Sequence, residues 1–216
     1  NMMIPYLVPQ MSPAQQEALK QNVKAPLVYS KVKIANWQPF MRLGIHEFYA
    51  PGAPYSRVKL DYPVSLGGYH HPHDPRQPIG LHMVYVPTLP GSGLSPREQS
   101  RKGRAMLLGT PFSVHEQMIR EQLQAMLGPA GFDHQRDIQA ITVNRWSHGY
   151  SYALSGMFDD EEEAQRTIER ARAPVGNIFI ANADADWSPY AHSAIDQAWR
   201  AVNEPAGGTS APGEAS

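Results

Sequence analysis

The chain contains no cysteine, no long apolar run and no surplus of charge. The lack of cysteine excludes disulfides and thiolate chemistry, but it does not identify the compartment, because oxidising surroundings permit disulfides without requiring them. No stretch approaches the roughly 20 apolar residues that cross a bilayer, so we expect no membrane span. The 19 basic and 20 acidic side chains nearly cancel, which gives no electrostatic reason to expect nucleic acid as a partner. The composition is that of a soluble globular protein, cytoplasmic or periplasmic.

The two ends of the sequence differ in character. The chain opens on an apolar run, "NMMIPYLVP", which lacks the basic start of a secretory signal. Because a reading frame begins with Met and this sequence begins with Asn1, we expect it to be the latter part of a longer protein. The last twelve residues, 205–216, are rich in Pro, Gly, Ala and Ser and are predicted to form a flexible tail.

Hydrophobic periodicity predicts an α/β fold with α+β character, in which helices flank a mixed β-sheet. Three alternating runs, "APLVYSKVKIA", "RVKLDYPVSL" and "IGLHMVYVPTL", are expected to share this sheet, and "IQAITVNRW" is a fourth strand. Ser12 and Pro13 have the pattern of a helix start. Residues 95–127 are helical in pattern, with a break at Thr110-Pro111, and "DDEEEAQRTIERAR" is a further helix.

The segment "NIFIANADADWSPYAHSAIDQAWRAV" carries the main functional hypothesis. Residues 177–181 have the pattern of a short strand, and Ser188-Pro189 that of a helix N-cap followed by proline in the first turn. A helix N-terminus favours phosphate, carboxylate or the electron-rich edge of a ring, and Asp184 before it offers a carboxylate to sugar-like hydroxyls. From the local pattern alone, an ordinary strand-to-helix connection is the other explanation.

Two further motifs receive simpler interpretations. His70, His71, His73 and Asp74 are crowded together, and imidazole and carboxylate suit zinc. Adjacent histidines on a strand point to opposite faces, however, so we interpret this stretch as a solvated hairpin tip and predict no metal site. Gly91–Pro96 resembles a dinucleotide-binding glycine loop, but proline occupies the third glycine position, which favours a plain connecting loop.

The closing segment resembles the C-terminal flavin-binding motif of flavin-containing amine oxidases, in which A-G-T-E is followed by W-S-G-Y-M-E-G-A-V-E-S-G. The positions that match or are chemically similar are Ala181, Asp184, Trp187, Ser188, Tyr190, Ala194, Ile195, Asp196 and Arg200. The sequence departs from the pattern at Asn182 and Pro189, where glycines are usual, and at His192-Ser193, which replaces Glu-Gly.

This resemblance implies a role for each part of the segment. Asp184 would lie near the ribityl–pyrophosphate portion of FAD, and the backbone from Ala191 to Ile195 would face the isoalloxazine. Tyr190 would form one wall of an aromatic cage. The candidate cofactor-binding residues are Asn182, Asp184, Trp187, Tyr190, Ala191, His192 and Ile195.

Two other segments are similar to parts of the same family. "VNRWSHGYSYAL" resembles the stretch that supplies the second aromatic wall, which would be Tyr150 or Tyr152. "PLVYSKVKIANWQPF" resembles the strand whose lysine contacts flavin N5 through water, and Lys31 takes that position. The candidate catalytic residues are therefore Lys31, Tyr150, Tyr152 and Tyr190. Together with "LDYPVSLGGY" and "AIDQAWRAV", these stretches resemble the spermidine-dehydrogenase-like branch up to about residue 204.

The resemblance implies an FAD-dependent oxidation of the C–N bond of an amine or polyamine, by hydride transfer to flavin N5. Residues 1–172 would form the substrate-binding region and residues 173–204 the C-terminal part of the FAD-binding domain. The expected partners are an amine, an electron acceptor (oxygen or a carrier protein) and the missing N-terminal FAD-binding portion, without which the chain is expected to be inactive. The alternatives are an FAD oxidoreductase with a non-amine substrate, or a non-catalytic subunit that completes a separate flavin-binding chain.

Overall fold

The computed structural model of the protein describes residues 1–204, so the tail expected at 205–216 lies outside the described residues. The helices are α1 (Ile4–Leu7), α2 (Pro13–Lys20), α3 (Gln38–Leu43), α4 (Pro96–Gly109), α5 (Phe112–Leu127), α6 (His134–Asp137), α7 (Glu161–Arg172) and α8 (Ala191–Asn203). The strands are β1 (Lys24–Ile34), β2 (Glu47–Tyr49), β3 (Arg57–Leu60), β4 (Ile79–Tyr85) and β5 (Ile138–Ser151). Within this described part, no helix combines the length and apolar composition that crossing a membrane requires.

The chain divides into two compact units. The sheet unit comprises Pro26–Gly93 and Lys102–Gly149, and the helical unit comprises Asn1–Ala25, Leu94–Arg101 and the described residues from Tyr150 onward. This division does not coincide with the boundary at residue 172 that the sequence analysis places between substrate-binding and FAD-binding regions. Each unit is assembled from segments that lie far apart in the sequence.

The five strands form one sheet in the order β2-β3-β4-β1-β5. The pairs β2–β3, β3–β4 and β4–β1 are antiparallel. At the other edge, the Ala35 N–H donates to the Asp137 carbonyl at 2.8 Å and the Asn144 amide to the Tyr29 carbonyl at 3.0 Å, so β5 also runs opposite to β1. The α/β class with flanking helices is confirmed, and the sheet is antiparallel rather than mixed.

The core of the sheet unit lies between one sheet face and the helix pair α4–α5. Residues of β1 alternate between buried and exposed positions from Val28 to Ile34, as expected for a strand with one face in the core. The other apolar side chains of this core include Phe40, Val58, Leu81, Met83, Leu107, Ile119, Leu123 and Leu127. The helical break expected at Thr110-Pro111 is confirmed, because α4 ends at Gly109 and α5 begins at Phe112.

The helical unit is built on the contact between α2 and α7. Leu19 of α2 and Ala171 of α7 lie in one buried cluster with Val8 and Ile180. Both helices start where the sequence predicts. The Ser12 side chain accepts a hydrogen bond from the Gln15 N–H at the start of α2, and the side chain of Asp160 caps α7 in the same way.

A buried histidine in α5 gives the sheet unit a predicted pH dependence. His115 is 1% exposed, and neither ring nitrogen has a hydrogen-bond partner within residues 1–204. Burial, with a smaller contribution from Arg145, holds the pKa of His115 below its ordinary value. Because the unfolded chain then takes up the proton at a higher pH than the folded chain, the free energy of unfolding falls as pH drops below about 6.5 and levels off below the folded pKa.

We expect His115→Leu to remove this component of the pH dependence. Urea unfolding between about pH 8 and pH 5 measures it, with the exposed His70→Leu as the matched control. The interpretation fails if the two variants lose stability with falling pH to the same extent.

Candidate functional site

The closing segment forms a turn and a helix. Residues 177–181, expected as a strand, lie in a stretch with only one isolated bridge, between Val175 and Ile178. A strand needs a neighbour for its backbone hydrogen bonds, and no strand of the described sheet pairs with this segment. The structure therefore differs here from the expected strand. A 3₁₀ turn, Ala183–Asp186, follows and leads toward α8.

The start of α8 has no side-chain cap. The N-cap position is Tyr190, not Ser188 as predicted, and its side chain makes no capping hydrogen bond. The Ser188 hydroxyl lies 2.7 Å from the Ser193 hydroxyl instead, which explains why the predicted cap is wrong. The backbone N–H groups of the first turn carry the partial positive charge of this 13-residue helix. The N-cap side chain does not accept a hydrogen bond from any of them.

Asn182 holds the backbone in a conformation that favours glycine. Its φ is +115°, and its side-chain oxygen accepts a hydrogen bond from the Asp184 N–H at 2.9 Å. Glycine adopts such angles without steric cost, whereas a residue with a Cβ needs compensation. The local hydrogen bond supplies it, so the turn keeps the shape that the usual glycine of the resembling motif permits.

Asp184 is the centre of the hydrogen-bond network in this turn. One carboxylate oxygen lies 2.5 Å from Lys24 Nζ and accepts a hydrogen bond from the Ser151 hydroxyl at 3.0 Å, and its carbonyl accepts from the Asn22 amide at 2.7 Å. Burial favours the neutral acid, but Lys24 and Ser151 outweigh it and hold the pKa of Asp184 below its usual value. The carboxylate is therefore charged at neutral pH and fixes the turn to Lys24 and Ser151.

Tyr152 and Trp187 belong to a second cluster, built around Arg97. The guanidinium carbon lies 4.7 Å from the Trp187 ring and 5.4 Å from the Tyr152 ring, and Arg97 Nε donates to Asp159 at 3.0 Å. The Tyr152 hydroxyl donates to the same carboxylate at 2.9 Å. Burial, with this hydrogen bond, raises the pKa of Tyr152 to about 12. The Tyr152 hydroxyl is therefore engaged in a hydrogen bond within the helical unit.

Tyr150 and Tyr190 are more accessible than Tyr152. Tyr150 is 49% exposed and Tyr190 is 61% exposed. The Tyr190 ring stacks on the His192 ring, with centroids 5.4 Å apart and planes 14° from parallel. Of the candidate aromatic side chains, these two are therefore the ones that a ligand can approach without breaking the Arg97 cluster.

The sheet unit contains Lys31, the remaining candidate catalytic residue. It lies on the sheet face opposite the core, pairs in register with His82 and forms an ion pair with Asp61. The register also places Lys59 beside His82 and Glu47 beside Lys59, so four titratable residues form one row across the sheet. The contact of Lys31 with a flavin stays a prediction.

The histidine-rich stretch of the sheet unit is held by local contacts. The rings of His71 and His73 meet edge to face at 5.8 Å, and Asp74 pairs with Arg76 at 2.6 Å. In the part of the chain that the structure describes, no three His, Cys, Asp or Glu side chains are grouped as metal ligands.

Comparison with known proteins adds a fold relationship. No protein-family model matches the chain, and no curated protein matches it significantly. Among solved structures, a double mutant from a redesign of cofactor binding in putrescine oxidase matches with a TM-score of 0.51 and 16% identity over 89% of this chain. A single mutant from the same redesign matches with a TM-score of 0.53 and 15% identity over 92%. The chain has the fold of this part of a flavin amine oxidase.

The match covers only part of those enzymes. The chain spans 38% and 40% of the lengths of the two putrescine oxidase structures. The fold relationship thus agrees with the resemblance to flavin amine oxidases. The spermidine-dehydrogenase-like branch, the substrate and the site residues stay predictions.

Several residues of these networks have no signal in the sequence. Lys24 and Ser151 contact Asp184 from positions 160 and 33 residues away, and Arg97 reaches Asp159 across 62 residues. Each is a common residue type outside any motif.

Asp184→Asn is expected to destabilise the helical unit by about 2 kcal/mol, because it leaves the Lys24 ammonium without a counter-ion. Since the folded pKa of Asp184 is lowered, this stabilisation is present above the unfolded pKa of about 3.9 and is lost as pH falls through the folded value. Urea unfolding at neutral and acidic pH measures both effects. The control is Glu162→Gln, in an exposed pair with Arg166, and equal losses in the two variants would contradict the prediction.

Proposed function

We propose that the chain forms the substrate-binding region and the C-terminal FAD-contacting segment of a flavin-dependent amine or polyamine oxidoreductase of the spermidine-dehydrogenase-like branch. The observation that carries this proposal is the uncapped start of α8, with Tyr190 exposed beside it, in a chain with a flavin amine oxidase fold. FAD, when bound, accepts the hydride equivalent from the carbon next to the amine nitrogen, and the resulting imine hydrolyses in water. The electron acceptor is oxygen or a carrier protein.

The described residues fit the part of FAD that the closing segment would hold. The first turn of α8 places amide groups where an electron-rich ring edge is favoured, as its dipole requires. The turn at Asn182 keeps the backbone angle that a glycine permits, while the asparagine side chain occupies space that a glycine would leave open. The Asp184 carboxylate is held by Lys24 and Ser151, so its role is to fix the turn in place and to keep a negative charge near sugar hydroxyls.

Tyr190 and Tyr150 are proposed as the aromatic walls that orient the amine. Rings attract a cationic nitrogen through their negative faces, and both side chains are accessible. The contacts of Tyr152 favour a structural role, because its hydroxyl binds Asp159 and its ring lies against Arg97. We therefore propose Tyr150, rather than Tyr152, as the second aromatic wall.

The outer face of α8 supports the expectation of an FAD-binding portion as partner. Ile195, Trp199 and Val202 form one apolar stripe at helical spacing, and Trp199 is 73% exposed. The opposite face packs through polar contacts, in which the Gln197 side chain accepts hydrogen bonds from Arg172 and Arg200. Because α8 turns its apolar side outward, we propose that the dinucleotide-binding portion covers this stripe.

The chain alone is expected to bind FAD weakly or not at all, because a βαβ pyrophosphate cradle supplies much of the affinity for a dinucleotide. Ultrafiltration of the purified 216-residue chain with FAD, followed by flavin absorption of the retained fraction, tests this. Addition of an FAD-binding portion from the same reading frame should restore retention. A stoichiometric complex of the chain alone would contradict the prediction.

In the assembled flavoprotein, Tyr190→Ala and Tyr150→Ala are each expected to lower kcat/KM for amine-dependent flavin reduction by about tenfold, in line with a desolvated cation–π contact. Anaerobic stopped-flow measurement of flavin bleaching by putrescine and by spermidine gives the values. The control is Tyr49→Ala, an exposed tyrosine at the edge of the sheet. Full activity of both variants would exclude the aromatic cage, and reduction only by a non-amine donor would favour the alternative substrate class.

A further inference from the structure

We propose that the sheet unit binds a small organic carboxylate with an apolar or aromatic body, in a cavity lined by Lys59. This cavity, called the Lys59 cavity below, has a volume of about 370 Å³. Its walls include Trp37, Glu47, Lys59, Tyr62, His71 and Ile79. The inference does not depend on flavin binding, because every residue in it belongs to the sheet unit.

The first observation is a buried cation without a carboxylate partner. Lys59 is only 6% exposed, and its Nζ lies 3.6 Å from the centroid of the Tyr62 ring. Within residues 1–204 it forms no ion pair, since Asp61 pairs with Lys31 and Glu47 pairs with Arg57. Glu47, its neighbour across the strands, attracts it only at longer range, and the Tyr62 side chain forms a hydrogen bond with it. Burial of a charge is costly unless the charge is paired, and an aromatic ring compensates only part of that cost. A bound anion would supply the missing counter-charge.

The second observation concerns two residues that line the same cavity. Trp37 Nε1 and His71 Nδ1 are buried and have no hydrogen-bond partner in the described part of the chain. The indole N–H is a donor only, so it requires an acceptor, and the imidazole nitrogen can also donate. Buried polar groups are nearly always paired in folded proteins. A carboxylate offers acceptors for both nitrogens, once the two rings turn toward the cavity, and a charge for Lys59.

The size and polarity of the cavity define the rest of the ligand. Its volume lies in the range of small-molecule sites, which combine apolar walls with a few convergent polar groups. The rings of Trp37 and Tyr62, with Leu60, Pro63 and Ile79, provide the apolar surface. Inorganic anions would leave this surface unused, whereas a compact aromatic acid would use both parts of the site.

Benzoate and its neutral isostere benzamide distinguish the proposed site from a general apolar pocket. Titration of the full chain by calorimetry and by tryptophan fluorescence should show saturable binding of benzoate, with benzamide at least about tenfold weaker. Lys59→Met keeps the length and apolar stem of the side chain and should weaken benzoate about tenfold without affecting benzamide. Trp37→Phe, which removes the N–H and keeps a ring, should weaken benzoate by a smaller factor.

The matched control is Lys33→Met, an exposed lysine on β1 that does not line the Lys59 cavity and should leave benzoate affinity unchanged. Circular dichroism of each variant verifies the fold. The proposal is overturned if benzoate does not saturate, if benzamide binds equally well, if inorganic phosphate competes as strongly as benzoate, or if folded Lys59→Met binds benzoate as tightly as the unchanged chain.

Discussion

The ion pair between Asp184 and Lys24 is the contact that holds the turn before α8 in place. It joins the turn before α8 to Lys24, and the Ser151 hydroxyl donates to the same carboxylate. The same turn contains the unusual backbone at Asn182, whose side chain accepts a hydrogen bond from the Asp184 N–H. The proposed flavin contact is therefore a consequence of a structural network rather than of the closing segment alone.

The charges of the partly buried Asp184 and the buried Lys59 are compensated in different ways. Asp184 is surrounded by donors that hold its pKa low, so its charge is stabilised within the chain itself. The Lys59 ammonium lies over the Tyr62 ring and forms no ion pair with a carboxylate among residues 1–204. By the same physical reasoning, the first arrangement fixes a structure and the second provides a place for a ligand.

Local patterns predict most of the elements but few of the contacts. The alternation in β1 and the cap at Ser12 depend on neighbouring residues, so the sequence is sufficient to place them. The predicted N-cap at Ser188 is wrong because the Ser188 hydroxyl contacts the Ser193 hydroxyl, and this contact competes with capping. Likewise, nothing local distinguishes Tyr150 from Tyr152, because the contact with Asp159 arises only from the fold. The networks around Asp184 and Arg97 join distant segments and therefore require the structure.

The most direct test of the central claim is hydrogen–deuterium exchange at the start of α8 in the assembled flavoprotein, with and without FAD. If the first turn faces the isoalloxazine, FAD should slow exchange selectively at the amides from Ala191 to Ile195, while the last turn of α8 exchanges as before. Unchanged exchange at these amides, in a sample that retains bound FAD, would contradict the account.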